Sequence, residues 1–376
     1  MSLHVQLNGK FLAASPTGVH RVATELANAL ADLIDEGHPA ARGLSLEALV
    51  PRDGLARAGV LRLPVRPLGP LVHIPWEQLT LPLRRPRAPD AGRGRGRRGT
   101  LLNLCNIGPV LARDAVTMIH DVQVLLSPGS YNPAFRAWYR TLQPLIGRRH
   151  RLLLTVSDYS RRQIVAAGLA PASRIALIPN GVDHVLAAAP DQSVLGRLGV
   201  NRHGYVLALA NTQAHKNIAV LLRAFARPEL AHLRLVVFGP AGRADFIAAG
   251  HAVPPTVTFA GTVGDGELRA LMTSALCLAF PSTTEGFGLP PLEAMRLGCP
   301  AVIAPCGALP EVCGTAALSA NPRDPADWAA RIAALASDPA AREALGRSGQ
   351  AHAAGYTWRR AGLALADALV ALHPAT

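Results

Sequence analysis

FPSTTEGFGLPPLEAMRLGCPAV, residues 280–302, is the stretch from which the fold can be read. The apolar run before it, ALCLAFPS, reads as a buried strand ending at Phe280–Pro281, and a polar, glycine-bearing loop follows. Pro290 and Pro291 then open a helix, where proline is tolerated because first-turn amides have no intrahelical partner. The amides of Phe287, Gly288 and Leu289 are therefore free to point at an anionic or hydroxyl-rich ligand. Glu285 lies in the loop and Glu293 eight residues later, in the first or second helical turn. A carboxylate accepts paired hydroxyls, so one could hold a hexose and the other a ribose. The plainer alternative is an ordinary helix start with Glu293 near the positive end of the dipole.

Working outward, strand-like runs alternate with helical stretches on both sides. YVLALA (205–210), LRLVVFG, TVTFAG, ALCLAFPS and PAVIAP form one series. An earlier series runs through LHVQLNG, LEALV near 46, TLLNL near 100, AVTMIHD near 115, LLLTVS near 152 and RIALIPNGVD near 174. A helix over about 19–33 carries Val22, Leu26, Ala29, Leu30 and Leu33 at helical spacing. Alternation of this kind gives parallel sheets covered by helices. The pattern restarts near 200, so an α/β chain with two Rossmann-like lobes is expected: an N-terminal lobe over 1–195 and a C-terminal lobe over 196–356. A tail helix over 357–376 packs back on the first lobe. Ligands of such sheets bind at the carboxyl ends of the strands, and the default site is the cleft between the lobes. That singles out Ser15–Gly18 and His120–Asp121 in the first lobe. In the second it singles out Asn211–Lys216, Gly239–Pro240, Gly261–Asp265 and Ser282–Leu289. Trp76 and Glu77, in PWEQ, form a polar-aromatic patch that is an acceptor-side candidate, whereas Tyr131 reads as packing.

The 38 Lys and Arg against 25 Asp and Glu give a formal charge of +13, which favours anionic partners. Much of it lies in RRPRAPDAGRGRGRR (84–98), read first as a solvated mobile loop and second as a contact for an anionic membrane face. No interleaved aromatic residue supports nucleic-acid binding. Five cysteines without a CxxC, and no secretory signal, disfavour a disulfide framework or a zinc site. No apolar stretch is long enough to span a bilayer. The expected location is cytoplasmic, with peripheral attachment at the inner membrane face as an option.

At this point a family resemblance enters. EGFGLPPLEAM followed by GCPAVIAPCGALPEVCG resembles the signature of the retaining GT-B glycosyltransferases of the glycogen-synthase-like family 4, with the glutamate pair as Glu285 and Glu293. VSDYSRRQI, IPNGVD, HKNI (215–218), VVFGPAG and TGVHRVATELANAL are similar to further family segments in the same order. The chain more loosely resembles bacterial mannosyl- and rhamnosyltransferases of polysaccharide assembly.

The resemblance implies two lobes facing across a cleft and a C-terminal helix crossing back. It implies that Glu285 contacts the donor hexose and that Phe287, Gly288 and Leu289 hold sugar and phosphate oxygens. Glu293 would accept ribose hydroxyls, Lys216 would neutralise the departing diphosphate, and Gly18 would let the backbone approach it. His120 matches a histidine near the transferred sugar, and Asp121 could orient it or touch the acceptor. Where many members carry an arginine beside the lysine, this chain has His215; either it suffices, or Arg161 or another arginine supplies the second charge. No Asp-x-Asp occurs, so no metal or other cofactor is expected. The partners implied are a nucleotide-sugar donor and a glycan or lipid-linked acceptor. The competing readings are a non-catalytic nucleotide-sugar-binding subunit and another GT-B enzyme such as a sugar phosphorylase.

Overall fold

The computed structural model describes residues 3–86, 99–209 and 211–372. The expectation of a membrane-binding loop at 84–98 falls, beyond Arg84–Pro86, outside the described residues. The chain divides into two units. The first comprises Met1–Leu126, Asn132–Gly181 and Trp358–Thr376; the second comprises Ser127–Tyr131 and Val182–Thr357.

The first unit is built on a seven-stranded parallel sheet. Its strands are β1 (Leu3–Asn8), β2 (Leu44–Val50), β3 (Val65–Pro67), β4 (Thr100–Asn103), β5 (Ala115–Met118), β6 (Leu152–Thr155) and β7 (Ile175–Leu177). Their spatial order is β3-β2-β1-β4-β5-β6-β7. Val5 of β1 sits opposite both Leu46 and Thr100, so the direction of winding reverses at the β1–β4 seam. Buried Val and Leu dominate these strands because helices cover both faces. The helix Gly18–Asp35 buries Val22, Leu26, Leu30 and Leu33. The C-terminal helix Trp358–Ala371 packs against it through Ala361, Leu365 and Leu369. Gly362 allows the close approach, since a Cβ there would lie 3.0 Å from that of Ala29.

The second unit repeats the scheme with β8 (Tyr205–Leu209), β9 (Arg234–Phe238), β10 (Val257–Gly261), β11 (Cys277–Phe280), β12 (Ala301–Ile303) and β13 (Leu318–Ser319). The order is β10-β9-β8-β11-β12-β13, all parallel, so its reversal lies between β8 and β11. The core gathers Val206, Leu235, Val237, Phe246, Trp328 and Ile332.

The division between units falls at Gly181–Val182 rather than near 195, for a physical reason. The Val182 amide bonds to the Tyr356 carbonyl, Arg269 donates to the carbonyls of Leu186 and Ala188, and the Asp191 amide bonds to Gly266. The weakly patterned connection is thus stitched to the second sheet's helices.

Candidate active site

In open parallel sheets a crevice forms outside the strand ends where the winding reverses. In the second unit that point is flanked by the loop after β8, carrying His215–Lys216, and the loop after β11, carrying Ser282–Gly288. Lys216 and Glu285 come from these two loops, and the Lys216 ammonium donates to Glu285 Oε1 at 2.7 Å. The Ser282 hydroxyl donates to the same oxygen at 2.5 Å. The pair is mostly but not wholly shielded, with the lysine and glutamate side chains 18% and 13% exposed. Lys216 Nζ also lies 5.7 Å from the centre of the Phe280 ring.

Several neighbours fix these groups. Asn217 adopts a left-handed conformation (φ 54°), which asparagine tolerates, and its side-chain amide donates to the carbonyls of Pro281 and Pro322. On the other side of Lys216, the His215 carbonyl accepts from the Thr283 amide at 2.8 Å and from its hydroxyl at 3.2 Å. The His215 ring shares a hydrogen bond with Ser130 Oγ at 3.0 Å and stacks on Tyr131, which extends that residue's expected packing role into the site. Gly307, at φ +63°, is required because a Cβ would come within 2.6 Å of the Glu285 amide nitrogen. The Ala308 amide in turn holds the Glu285 carbonyl at 3.0 Å.

His215 does not supply a second full positive charge. Burial pushes its imidazole down to about 4, the charge of Lys216 adds to the effect, and Glu285 only partly opposes it. Arg161 belongs to the first unit and is paired with Asp158 at 2.5 Å.

The helix Leu289–Arg296 carries Pro290 and Pro291 in its first turn, as expected, and starts behind a left-handed Gly288 (φ 99°). A Cβ at Gly288 would meet Leu309 Cδ2 at 2.4 Å, so the glycine is demanded by space as well as conformation. Phe287 is buried and packs edge-on to Tyr356, leaving its backbone rather than its ring as the polar element. Glu293 is not solitary: His184 Nε2 donates to its Oε1 at 3.1 Å, and both side chains are largely buried. That bond anchors the carboxylate through one of its oxygens.

The remaining candidates lie in the first unit. His120 follows β5 and is buried; its Nε2 donates to the Leu104 carbonyl at 2.8 Å, and its backbone amide donates to Asn106 Oδ1. Burial pushes the ring down to about 4, so near neutral pH it is uncharged, with the proton on Nε2 and Nδ1 left as an acceptor. Asp121 accepts from the Gln123 amide and starts the short helix Gln123–Leu126. Gly18 is the first residue of its helix, and a Cβ there would meet nothing within 4 Å. Internal packing therefore does not require a glycine at 18. Trp76 is corrected from acceptor-side candidate to core: it is fully buried against Leu49, Leu81 and Leu101, and its indole N–H donates to the Leu68 carbonyl. Glu77 is also buried, accepting from Lys10 Nζ at 2.7 Å and Asn8 Nδ2 at 3.0 Å.

Residues 200–352 match the family model for glycosyl transferases group 1. The chain is 33% identical over 256 residues to O-antigen chain mannosyltransferase B of Escherichia coli, covering 65% of this chain and 67% of that protein. The chain belongs to the group 1 glycosyltransferases. A second relative of this glycosyltransferase, MMP alpha-(1->4)-mannosyltransferase of Mycolicibacterium hassiacum, is 30% identical over 273 residues, 69% of this chain and 64% of that one. The chain thus spans about two thirds of the length of each of these relatives. Its fold is that of GT-B structures. Anabaena Alr3699/HepE, solved with UDP and glucose, superposes with a TM-score of 0.71 at 18% identity, covering 98% of this chain and all of that one. WaaG, a glycosyltransferase of lipopolysaccharide biosynthesis, gives 0.63 at 14%, covering 98% and 99%.

Sequence reasoning missed His184, Asn217, Gly307 and Ser130 in this glycosyltransferase, and placed Ser282 in the site loop without a role. Positive φ was legible in principle for Gly307, which precedes an alanine in a turn-like CGAL. His184 and Ser130 carry no local signal, because their partners are 109 and 85 residues away and only the fold orients them, whereas Ser282 stands three residues before its partner in a loop the sequence already singles out.

Proposed function

We propose that this protein transfers a hexose, mannose before rhamnose, from a nucleotide diphosphate donor to a glycan or lipid-linked acceptor with retention of configuration. The observation that carries the reading is the Lys216–Glu285 pair at the winding reversal of the second sheet, beside the amide end of the Leu289–Arg296 helix. A fixed ammonium next to free amides is suited to the charge that grows on a departing diphosphate, and such preorganised groups contribute more in a shielded site than in water. Glu285 would hold hexose hydroxyls and release Lys216 to the phosphate, while Glu293, braced by His184, would hold the ribose. In this reading no metal is needed, because the ammonium and the helix end do its work. His120, neutral and presenting Nδ1 as an acceptor, suits a hydroxyl of the transferred sugar better than an anion.

The mannosyltransferase names of the two relatives favour mannose, and the UDP and glucose of the Anabaena structure favour a nucleotide-sugar ligand. Titrating GDP-mannose, UDP-glucose, UDP-N-acetylglucosamine and dTDP-rhamnose without added metal, while following thermal stability, tests this. A donor-selective rise that Lys216→Ala removes supports it; no response to any donor counts against the proposed donor site, or points to a donor outside the panel.

A further inference from the structure

We infer that Lys10 is a specificity-determining residue of the first unit, its ammonium directed at the hydroxyls of an uncharged sugar unit of the acceptor. The inference rests on the transferase reading and adds to it the chemical class of the group that the first unit holds.

The chain contains 36 arginines and two lysines, Lys10 and Lys216. Where arginine is so strongly preferred, a lysine marks a place that suits a compact ammonium better than a planar guanidinium. The two lysines occupy corresponding places. Lys216 follows β8, which borders the winding reversal of the second sheet, and Lys10 follows β1, which borders the reversal of the first. Each donates to a glutamate at 2.7 Å, Lys216 to Glu285 and Lys10 to Glu77. Strand ends at such a reversal are where open parallel sheets hold their ligands.

The surroundings of Lys10 fix it there. Gly9 lets the chain turn closely past β2, since a Cβ would lie 2.8 Å from the Leu49 carbonyl oxygen. Asn8 Oδ1 accepts from the Lys10 amide at 3.2 Å, while Asn8 Nδ2 donates to Glu77 Oε1 and to Asn103 Oδ1. Gln78 Nε2 adds a longer bond to Glu77 Oε2 at 3.4 Å. Glu77 is thus anchored from the end of β1 and from its own turn. Its side chain is 4% exposed against 30% for Lys10, so a ligand meets the ammonium and not the carboxylate.

Glu77 takes one of the three donors of the ammonium. The carboxylate directly behind it offsets the positive charge, which disfavours a phosphate at this point. Hydroxyl oxygens accept hydrogen bonds without bringing charge, and a sugar presents several of them together. An arginine at position 10 could engage both Glu77 oxygens with its fork and so turn its donors away from a ligand. If Lys10 served only to neutralise Glu77, arginine would do as well.

Isotope labelling of lysine alone tests the inference, because two lysines give two side-chain NMR signals, assigned with Lys10→Arg and Lys216→Arg. The labelled full chain is titrated with the methyl α-glycosides of mannose, rhamnose, glucose and galactose, with inorganic phosphate, and separately with GDP-mannose. The Lys10 signal should shift saturably with at least one glycoside and stay in place with phosphate. Affinity for that glycoside, followed by saturation-transfer spectra, should fall about tenfold in Lys10→Arg, the scale of one charge-assisted hydrogen bond. That variant should keep the wild-type melting temperature and the response of its Lys216 signal to GDP-mannose. A Lys10 signal that no glycoside moves overturns the inference. So does an equal shift with phosphate, which would make this an anion site, and so does equal glycoside affinity in Lys10→Arg, which would leave Lys10 as the counter-ion of Glu77. A Lys216 signal indifferent to GDP-mannose would count against the donor reading instead, and the two failures are read from separate signals.

Discussion

At the residue scale the account rests on one ammonium and two carboxylates. Replacing Lys216 by alanine should weaken donor binding about tenfold and also lower kcat by about 10²–10³, the usual loss on removing a group that stabilises developing charge. The melting temperature should stay near that of the wild type, because the pair is partly exposed. His184→Ala should instead raise the donor KM about tenfold with kcat little changed, while His184→Gln, which can still donate to Glu293, should restore part of the affinity. Equal kcat and KM effects from both changes would contradict the division of roles. Glu285, Glu293 and Lys216 were legible in the sequence because a loop–proline–helix pattern and its resemblance single them out. Trp76 was misread because PWEQ looks polar from its neighbours, whereas the wide turn buries Trp76 against Leu49 and Leu101 and Glu77 against Asn8, beside the central strands of the sheet.

At the element scale, glycines and buried histidines hold the loops to the strands. Gly307→Ala adds a Cβ against the Glu285 backbone at a positive φ. It should cost about 1–3 kcal/mol in stability and displace Glu285, so a urea midpoint and kcat should fall together. His150 joins β5 to the loop after β4, sharing a bond with Thr117 Oγ1 at 2.7 Å and donating to the Pro109 carbonyl at 3.2 Å. Burial pushes both His150 and His120 down to about 4. The unfolded chain, with histidine near 6.5, takes up protons first as pH falls, so folding stability is full above about pH 6.5 and declines toward pH 4. The loss should be about 2 kcal/mol per histidine at pH 5. Urea midpoints at pH 7 and pH 5 check this, and equal values would mean the rings are not buried neutral. The strands themselves were legible, since β4, β5, β6, β8, β9 and β11 are mainly apolar runs and β1 alternates apolar with polar residues. The short β3 and β13 were not, because three and two residues carry no period.

At the scale of the whole molecule, the restart of the strand pattern near 205 was legible, and the boundary at 181–182 was not. The connection 182–203 is held by backbone bonds to distant carbonyls and amides, which composition does not record. The tail helix belongs to the first unit, and its Leu365 and Leu369 are fully buried there. A chain stopped after Thr357 should lose about 1.5–3 kcal/mol for each of these leucines from the first unit. Calorimetry should show that unit melting earlier, with the second unit's transition preserved; an unchanged trace would contradict the packing. The claim on which everything else depends is that the second unit binds a nucleotide diphosphate sugar through Lys216, Glu285 and Glu293. Its most direct test is isothermal titration of GDP-mannose, without metal, into the wild type, Lys216→Ala and Glu293→Ala. The account predicts saturable binding weakened at least tenfold by either change in folded protein; binding of equal strength in all three would contradict it.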